Sequence, residues 1–144
     1  MCQDGEWNWM RRAVDLAKQS EAEADKACAP RVGAVFVKDG RIVAEGYRGK
    51  AGKGCHAEYS ALMLANESEI EGSTVYTTLE PCTKRGHPKI PCAQRLVDAR
   101  VAEVVIGLFD PNPHIFRKGW KILKAAGIVL RDFAPEFSAR AGRF

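Results

Sequence analysis

Residues 101–130 read VAEVVIGLFDPNPHIFRKGWKILKAAGIVL. The run 101–108 is apolar and β-branched and predicts a strand. Asp110-Pro111-Asn112-Pro113 is a rigid loop, and 118–126 carries a helical pattern that Gly127 closes at the C-cap. A second short strand is expected over 128–130. A strand, a helix and a strand in that order form a β-α-β unit, so these two strands should lie parallel, joined by a right-handed crossover.

Working outward, 32–37 (V-G-A-V-F-V) is a nearly continuous apolar run and predicts a buried strand. Asp39-Gly40 supplies a hairpin turn, and 42–47 returns as its antiparallel partner. Residues 74–79 (T-V-Y-T-T-L) form a third expected strand. Helices are expected over 7–19, 56–66 and 92–99, the first with Trp7, Met10, Ala13, Val14 and Ala17 on one face. Trp7 and Trp9 suggest core anchors more than base-stacking groups. Residues 20–29 read as a loop, and 134–144 as a loosely patterned tail. The expected fold class is α/β, a three-layer α-β-α sandwich with a mixed five-stranded sheet whose strands 4 and 5 are parallel.

With 144 residues, 46% hydrophobic and 28% charged, the chain has the size and composition of one globular domain. No run approaches 18 consecutive apolar residues and the start lacks a signal-peptide pattern, so the expected location is the cytoplasm, with no membrane partner. The net charge of +4 suits a phosphorylated or nucleic-acid partner, yet is equally ordinary for a solvated surface. Five cysteines is an odd number and argues against a disulfide framework.

Two of those cysteines belong to a pattern. Cys55-His56-Ala57-Glu58 is followed by Thr78-Leu79-Glu80-Pro81-Cys82 and then by Pro91-Cys92. One imidazole and two thiolates converging from separate elements suit Zn2+, with the fourth tetrahedral position open to water. His56, Cys82 and Cys92 are the expected ligands, and Glu58 is a carboxylate that need not touch the metal. Each cysteine follows a proline, which favours a helix start, where the dipole stabilises a thiolate. Cys2, Cys28 and Cys55 are expected as free thiols; Cys55 as a fourth ligand is disfavoured by its adjacency to His56. His56 and Glu58 can serve one site only where the helix begins, because side chains two apart diverge by about 200° within a helix.

The pattern resembles the H-x-E and P-C-x-x-C signature of zinc deaminases, with nine residues instead of two between the cysteines. The resemblance extends over roughly residues 10–130 and is closest to the deaminase domain of riboflavin-pathway pyrimidine deaminases, in the cytidine-deaminase-like superfamily. Pro30-Arg31-Val32-Gly33-Ala34-Val35 resembles that family's N-P-x-V-G-A-V segment, and Lys50-Ala51-Gly52 its lead-in to H-A-E. Thr78–Cys82 matches its T-L-E-P-C, and Asp110-Pro111-Asn112-Pro113 with Lys118-Gly119 and Ala126-Gly127-Ile128 its D-P-N-P, K-G and A-G-I. Three features depart: Ala29 replaces the family's asparagine, Lys84 stands where a histidine would, and the sequence stops at Phe144. A single deaminase domain over 1–144, without a fused reductase, is therefore expected.

The resemblance implies that Glu58 shuttles protons and that Ala57, Thr78, Glu80 and Pro81 help orient the ring, largely through backbone groups. It further implies that Asp110 and Asn112 face the ribose or phosphate. Lys84 and His87, in the insertion between the cysteines, are candidates for the substrate mouth, although an exposed loop histidine is the commoner reading of His87. The favoured function is hydrolytic deamination of an aminopyrimidine nucleotide or related small aminated heterocycle, by a homo-oligomer. Two alternatives compete. One is deamination of cytosine or adenine in single-stranded nucleic acid, with Arg48, Lys50, Lys53, Lys84, Arg85 and Lys89 as a basic rim. The other is a non-catalytic zinc scaffold, for which Glu58 would have no use.

Overall fold

The computed structural model describes residues 3–20, 31–51, 55–83, 90–108, 117–135 and 137. Five helices, α1 (Gln3–Ala17), α2 (Ala57–Met63), α3 (Glu67–Ile70), α4 (Cys92–Asp98) and α5 (Lys118–Ala125), accompany five strands. The strands are β1 (Gly33–Lys38), β2 (Arg41–Tyr47), β3 (Thr74–Thr77), β4 (Glu103–Ile106) and β5 (Val129–Asp132). They form one sheet in the order β2-β1-β3-β4-β5. β1 is antiparallel to β2 and β3, whereas β3–β4 and β4–β5 are parallel.

The expected hairpin and β-α-β unit are both present. Asp39 and Gly40 adopt positive φ (54° and 76°), as a tight two-residue hairpin turn demands. Gly127 has φ 86° immediately beyond α5 and ends it. Alternation along the central strands sends side chains to two faces. Ala34, Phe36, Val75, Val104 and Ile106 pack with Ala57 and Ala61 of α2, Ala93 and Leu96 of α4 and Leu123 of α5. Val35, Val37, Tyr76 and Val105 face Met10, Ala13, Val14 and Leu16 of α1. These two cores make the three layers, and cutting a fully buried leucine such as Leu96 to alanine would cost about 3 kcal/mol.

Several boundaries differ from the sequence expectation, each for a local reason. β3 stops at Thr77 instead of reaching residue 79, because the Thr77 hydroxyl donates to the Leu79 carbonyl (3.0 Å) and bends the chain. The helix expected over 56–66 ends early, at Met63, and a short helix that was not expected, α3, follows it, with Asn66 capping it by accepting the Ser68 amide (3.2 Å). β5 lies further along than 128–130 because it is an edge strand with two exposed ends, so its apolar signal is weak. α1 begins at Gln3, four residues before the expected start, and the tail contributes Phe137 to the second core, edge-on to Trp7 at 5.6 Å. Trp9 packs against that core, as expected of an anchor, whereas Trp7 is 41% exposed. Among the described residues no helix is long and apolar enough to cross a membrane.

Candidate active site

The site forms where β3 runs out toward α4 and where β2 turns into α2. Gly46 lets α2 lie directly on β2: a Cβ there would stand 2.6 Å from both the Ala57 carbonyl oxygen and the Ala61 nitrogen. His56 is the N-cap of α2 in an extended conformation, and Glu58 is its second helical residue. That break in helical geometry lets the imidazole and the carboxylate face one centre. Glu58 is 4% exposed.

His56, Cys82 and Cys92 come together, with their candidate ligand atoms all within 4.8 Å of one another. His56 Nδ1 lies 3.6 Å from Cys82 Sγ and 3.5 Å from Cys92 Sγ. A tetrahedral zinc centre with ordinary Zn–N and Zn–S lengths sets N···S separations of about 3.5–3.6 Å. The donor set and its spacing therefore fit zinc. Cys55 does not join the cluster.

The two cysteines are held differently from the expectation of a helix start after each proline. Pro91 is the N-cap of α4 and Cys92 its first residue. Cys82 lies in the loop after β3, where the Cys92 amide donates to its sulfur (3.3 Å) and the Ala93 amide to its carbonyl (3.0 Å). One helix start thus serves both thiolates. Cys82 is lowered to about 4, through its contact with the Cys92 side chain first and then through His56. Glu58 is pushed up to about 7, by burial first and by the negative Cys82 sulfur second. A carboxyl poised near neutrality can both take and return a proton.

The side chains of the T-L-E-P-C segment are committed inward. The Gly33 amide donates to Thr78 Oγ1 (3.1 Å), and the Thr78 amide returns a bond to the Gly33 carbonyl (3.1 Å). Glu80, 6% exposed, accepts the amides of Arg117 (3.0 Å) and Trp120 (3.1 Å), clamping the start of α5. Gly119 completes that clamp, since a Cβ there would come within 2.3 Å of the Pro81 carbonyl oxygen. Pro81 is fully buried and Ala57 packs in the first core, so only the backbone of this set is left for a ligand. Lys84, His87, Asp110 and Asn112, like Ala29 and His114, lie outside the described residues.

Of the six residues of the expected basic rim, Arg48 and Lys50 are described, and they diverge. Lys50 reaches toward the Glu45 carbonyl (3.4 Å) and the Tyr47 ring. Arg48 stands at the site, its Nη2 3.3 Å from His56 Nε2. The described residues therefore assemble no continuous basic groove. From sequence, Arg48 belongs to the basic loop that leads into the metal motif and to the expected basic rim; its contact with His56 is what the structure adds.

The model of the cytidine and deoxycytidylate deaminase zinc-binding region matches residues 5–108. A maize riboflavin biosynthesis protein, PYRD, is 44% identical over 133 residues, covering 92% of this chain and 33% of the maize protein. A diaminohydroxyphosphoribosylamino-pyrimidine deaminase from Buchnera aphidicola is 42% identical over 85% of this chain and 80% of its own length. Acinetobacter baumannii RibD superposes with a TM-score of 0.83 at 40% identity, over 97% of this chain and 38% of that one. The chain spans about a third of the length of the maize protein (33%). The matched zinc-binding region contains His56, Glu58, Cys82 and Cys92 together, and on that match the chain belongs to the cytidine and deoxycytidylate deaminase family, with its sequence likeness on the side of the riboflavin-biosynthesis deaminases.

Proposed function

We propose that residues 1–144 act as a zinc-dependent hydrolytic deaminase on a phosphorylated aminopyrimidine, replacing a ring amino group with a carbonyl and releasing ammonia. The observation that carries this reading is the convergence of His56, Cys82 and Cys92 beside a buried Glu58. His56, Cys82 and Cys92 would hold the metal. When bound, zinc acts as a Lewis acid that brings proton loss from the attacking water toward neutral pH.

The remaining steps belong to the chain. Glu58 takes the water's proton on its carboxylate and delivers it to the ring nitrogen next to the reacting carbon. It then carries the water's second proton to the amino group, which departs as ammonia, so that one water is consumed per turnover. The α4 amide at Cys92 steadies the charge on Cys82 while Glu58 changes state. Backbone groups of 78–81 and of Ala57 orient the ring, and a substrate-binding role for Asp110, Asn112, Lys84 and His87, which lie outside the described residues, belongs to the same proposal. The likeness to enzymes named for a phosphoribosylaminopyrimidine supports a pyrimidine nucleotide as substrate.

The same reading includes action in the cytoplasm and self-association. Exposed Met63 (60%) and Leu64 (63%) at the end of α2 support the latter. Beside them a groove of about 430 Å³ is lined by Leu62, Ile70, Ile90 and Arg95. The deciding experiment is ammonia release by zinc-loaded protein across aminopyrimidine bases, nucleosides and nucleotides, aminated purines and oligonucleotides. Turnover of a pyrimidine nucleotide is expected; turnover of oligonucleotides alone would overturn the small-molecule reading.

A further inference from the structure

Arg48 is the one described cation beside the metal ligands, and its surroundings leave it short of acceptors. It follows β2 in a turn fixed at three points: the Arg48 amide donates to the Val32 carbonyl (3.1 Å), Gly49 to Cys55 (2.8 Å) and Lys50 to Tyr47 (3.0 Å). The half-buried side chain is thereby directed at the back of the His56 ring. Its Nε is buried and finds no hydrogen-bond partner among the described residues.

Its nearest side-chain neighbour does not relieve this. The two cysteine sulfurs lie on the Nδ1 side of His56, so Nδ1 turns its lone pair toward them and the metal. A neutral imidazole that gives Nδ1 to a metal carries its proton on Nε2. A guanidinium has N–H groups and no acceptor. With Nδ1 given to a metal, the 3.3 Å contact of Arg48 Nη2 with His56 Nε2 would set N–H against N–H and supply the guanidinium with no acceptor. The Nε donor of a permanent cation is thus buried beside a metal ligand with no acceptor among the described residues, an arrangement whose cost falls when one arrives.

We propose that Arg48 is a specificity-determining residue whose guanidinium takes an oxygen acceptor of the substrate, a ring carbonyl or a phosphate oxygen, next to the His56 imidazole. This inference rests on the deaminase reading and deepens it. Arg48 favours heterocycles that carry such an oxygen and disfavours otherwise similar amino-heterocycles that lack it, because the unmet guanidinium stays unmet with the latter. Lysine would keep the charge but lose the planar two-point donor.

The test uses the full chain, zinc-loaded and carrying Glu58→Gln to stop turnover. Calorimetric titration would be run with the phosphoribosylated diaminohydroxypyrimidine and with its dephosphorylated nucleoside, with Arg48 intact, Arg48→Ala and Arg48→Lys. Arg48→Ala is expected to weaken the nucleotide by about 10- to 100-fold, with Arg48→Lys recovering part of the loss. Zinc content should stay at that of the parent. An equal loss for both probes would place the oxygen on the ring, and a loss confined to the nucleotide would place it on the phosphate. Unchanged affinity for both probes in Arg48→Ala would overturn the inference while leaving the deaminase reading intact. A fall in zinc content parallel to the loss of binding would also overturn it, making Arg48 a support for His56. Failure of the nucleotide to bind the Arg48-intact protein would take down the pyrimidine-nucleotide reading itself, and this inference with it.

Discussion

Two half-buried clusters of ionisable groups face opposite sides of the sheet, and they are built on opposite terms. On the α1 side, Arg131 of β5 donates to both oxygens of Glu103 (2.9 and 3.0 Å) and pairs with Glu6 of α1. The Tyr76 hydroxyl also donates to Glu6 (3.0 Å). Both acids there share one cation, and the Arg131 guanidinium holds Glu6 below the usual carboxylate range. On the α2–α4 side, Glu58 is buried beside a negative sulfur and rises to about 7, while Arg48 makes its side-chain contact with His56. The first arrangement ties a helix to three strands. The second keeps charge unneutralised until metal and substrate arrive. Similar residue types yield a brace or a reactive centre according to whether charges are paired inside the fold.

Substitutions can break each side of this contrast. The largest effect is expected at the ligands: Cys92→Ala should abolish both zinc retention and turnover, read by metal analysis after dialysis. Next comes Glu80, whose carboxylate binds the Arg117 and Trp120 amides. Glu80→Ala leaves these two amides without their acceptor and should lower stability by about 3 kcal/mol, measured by urea unfolding. It should loosen zinc as well, since Glu80 stands two residues from Cys82. An unchanged midpoint would show that the clamp contributes nothing.

The brace should respond to pH in a defined direction. The folded pKa of Glu6 lies below its unfolded value of about 4.5. Its contribution is therefore fully present above about pH 4.5 and disappears as pH falls through the lower, folded value. Glu6→Gln should cost on the order of 1 kcal/mol at pH 7, and the difference from the parent should vanish in acid. A difference that persisted at pH 2 would mean that packing, not charge, holds Glu6. The smallest effect is expected for Arg12→Ala, which removes the Glu45 pair (2.6 Å) at the surface and should cost roughly 0.5 kcal/mol, less in high salt.

The two regions were not equally legible in the sequence. His56, Glu58, Cys82 and Cys92 could be read because their chemistry allows few uses at that spacing, and the hairpin because Asp39-Gly40 allows few backbone shapes. The parallel pairing of β3 with β4 and the position of β1 between β2 and β3 depend on contacts between distant segments that no local pattern encodes. Glu80 was read as a ring-orienting residue; its side-chain partners lie 37 and 40 residues away, and nothing near it in sequence announces them. The brace was invisible for the same reason, with Glu6 and Arg131 separated by 125 positions. Arg48 illustrates the intermediate case: the loop was noticed, but only the turn after β2 decides that Arg48 faces the site while Lys50 faces Glu45 and Tyr47.

The most direct test of the central claim is a paired measurement on Glu58→Gln: bound zinc per chain, and the rate of ammonia release from the phosphoribosylated diaminohydroxypyrimidine. The account predicts one zinc per chain in both proteins and a rate at least about 100-fold lower in the variant, because the proton carrier is lost while the ligands remain. A variant that binds zinc and releases ammonia at the parent rate would contradict it.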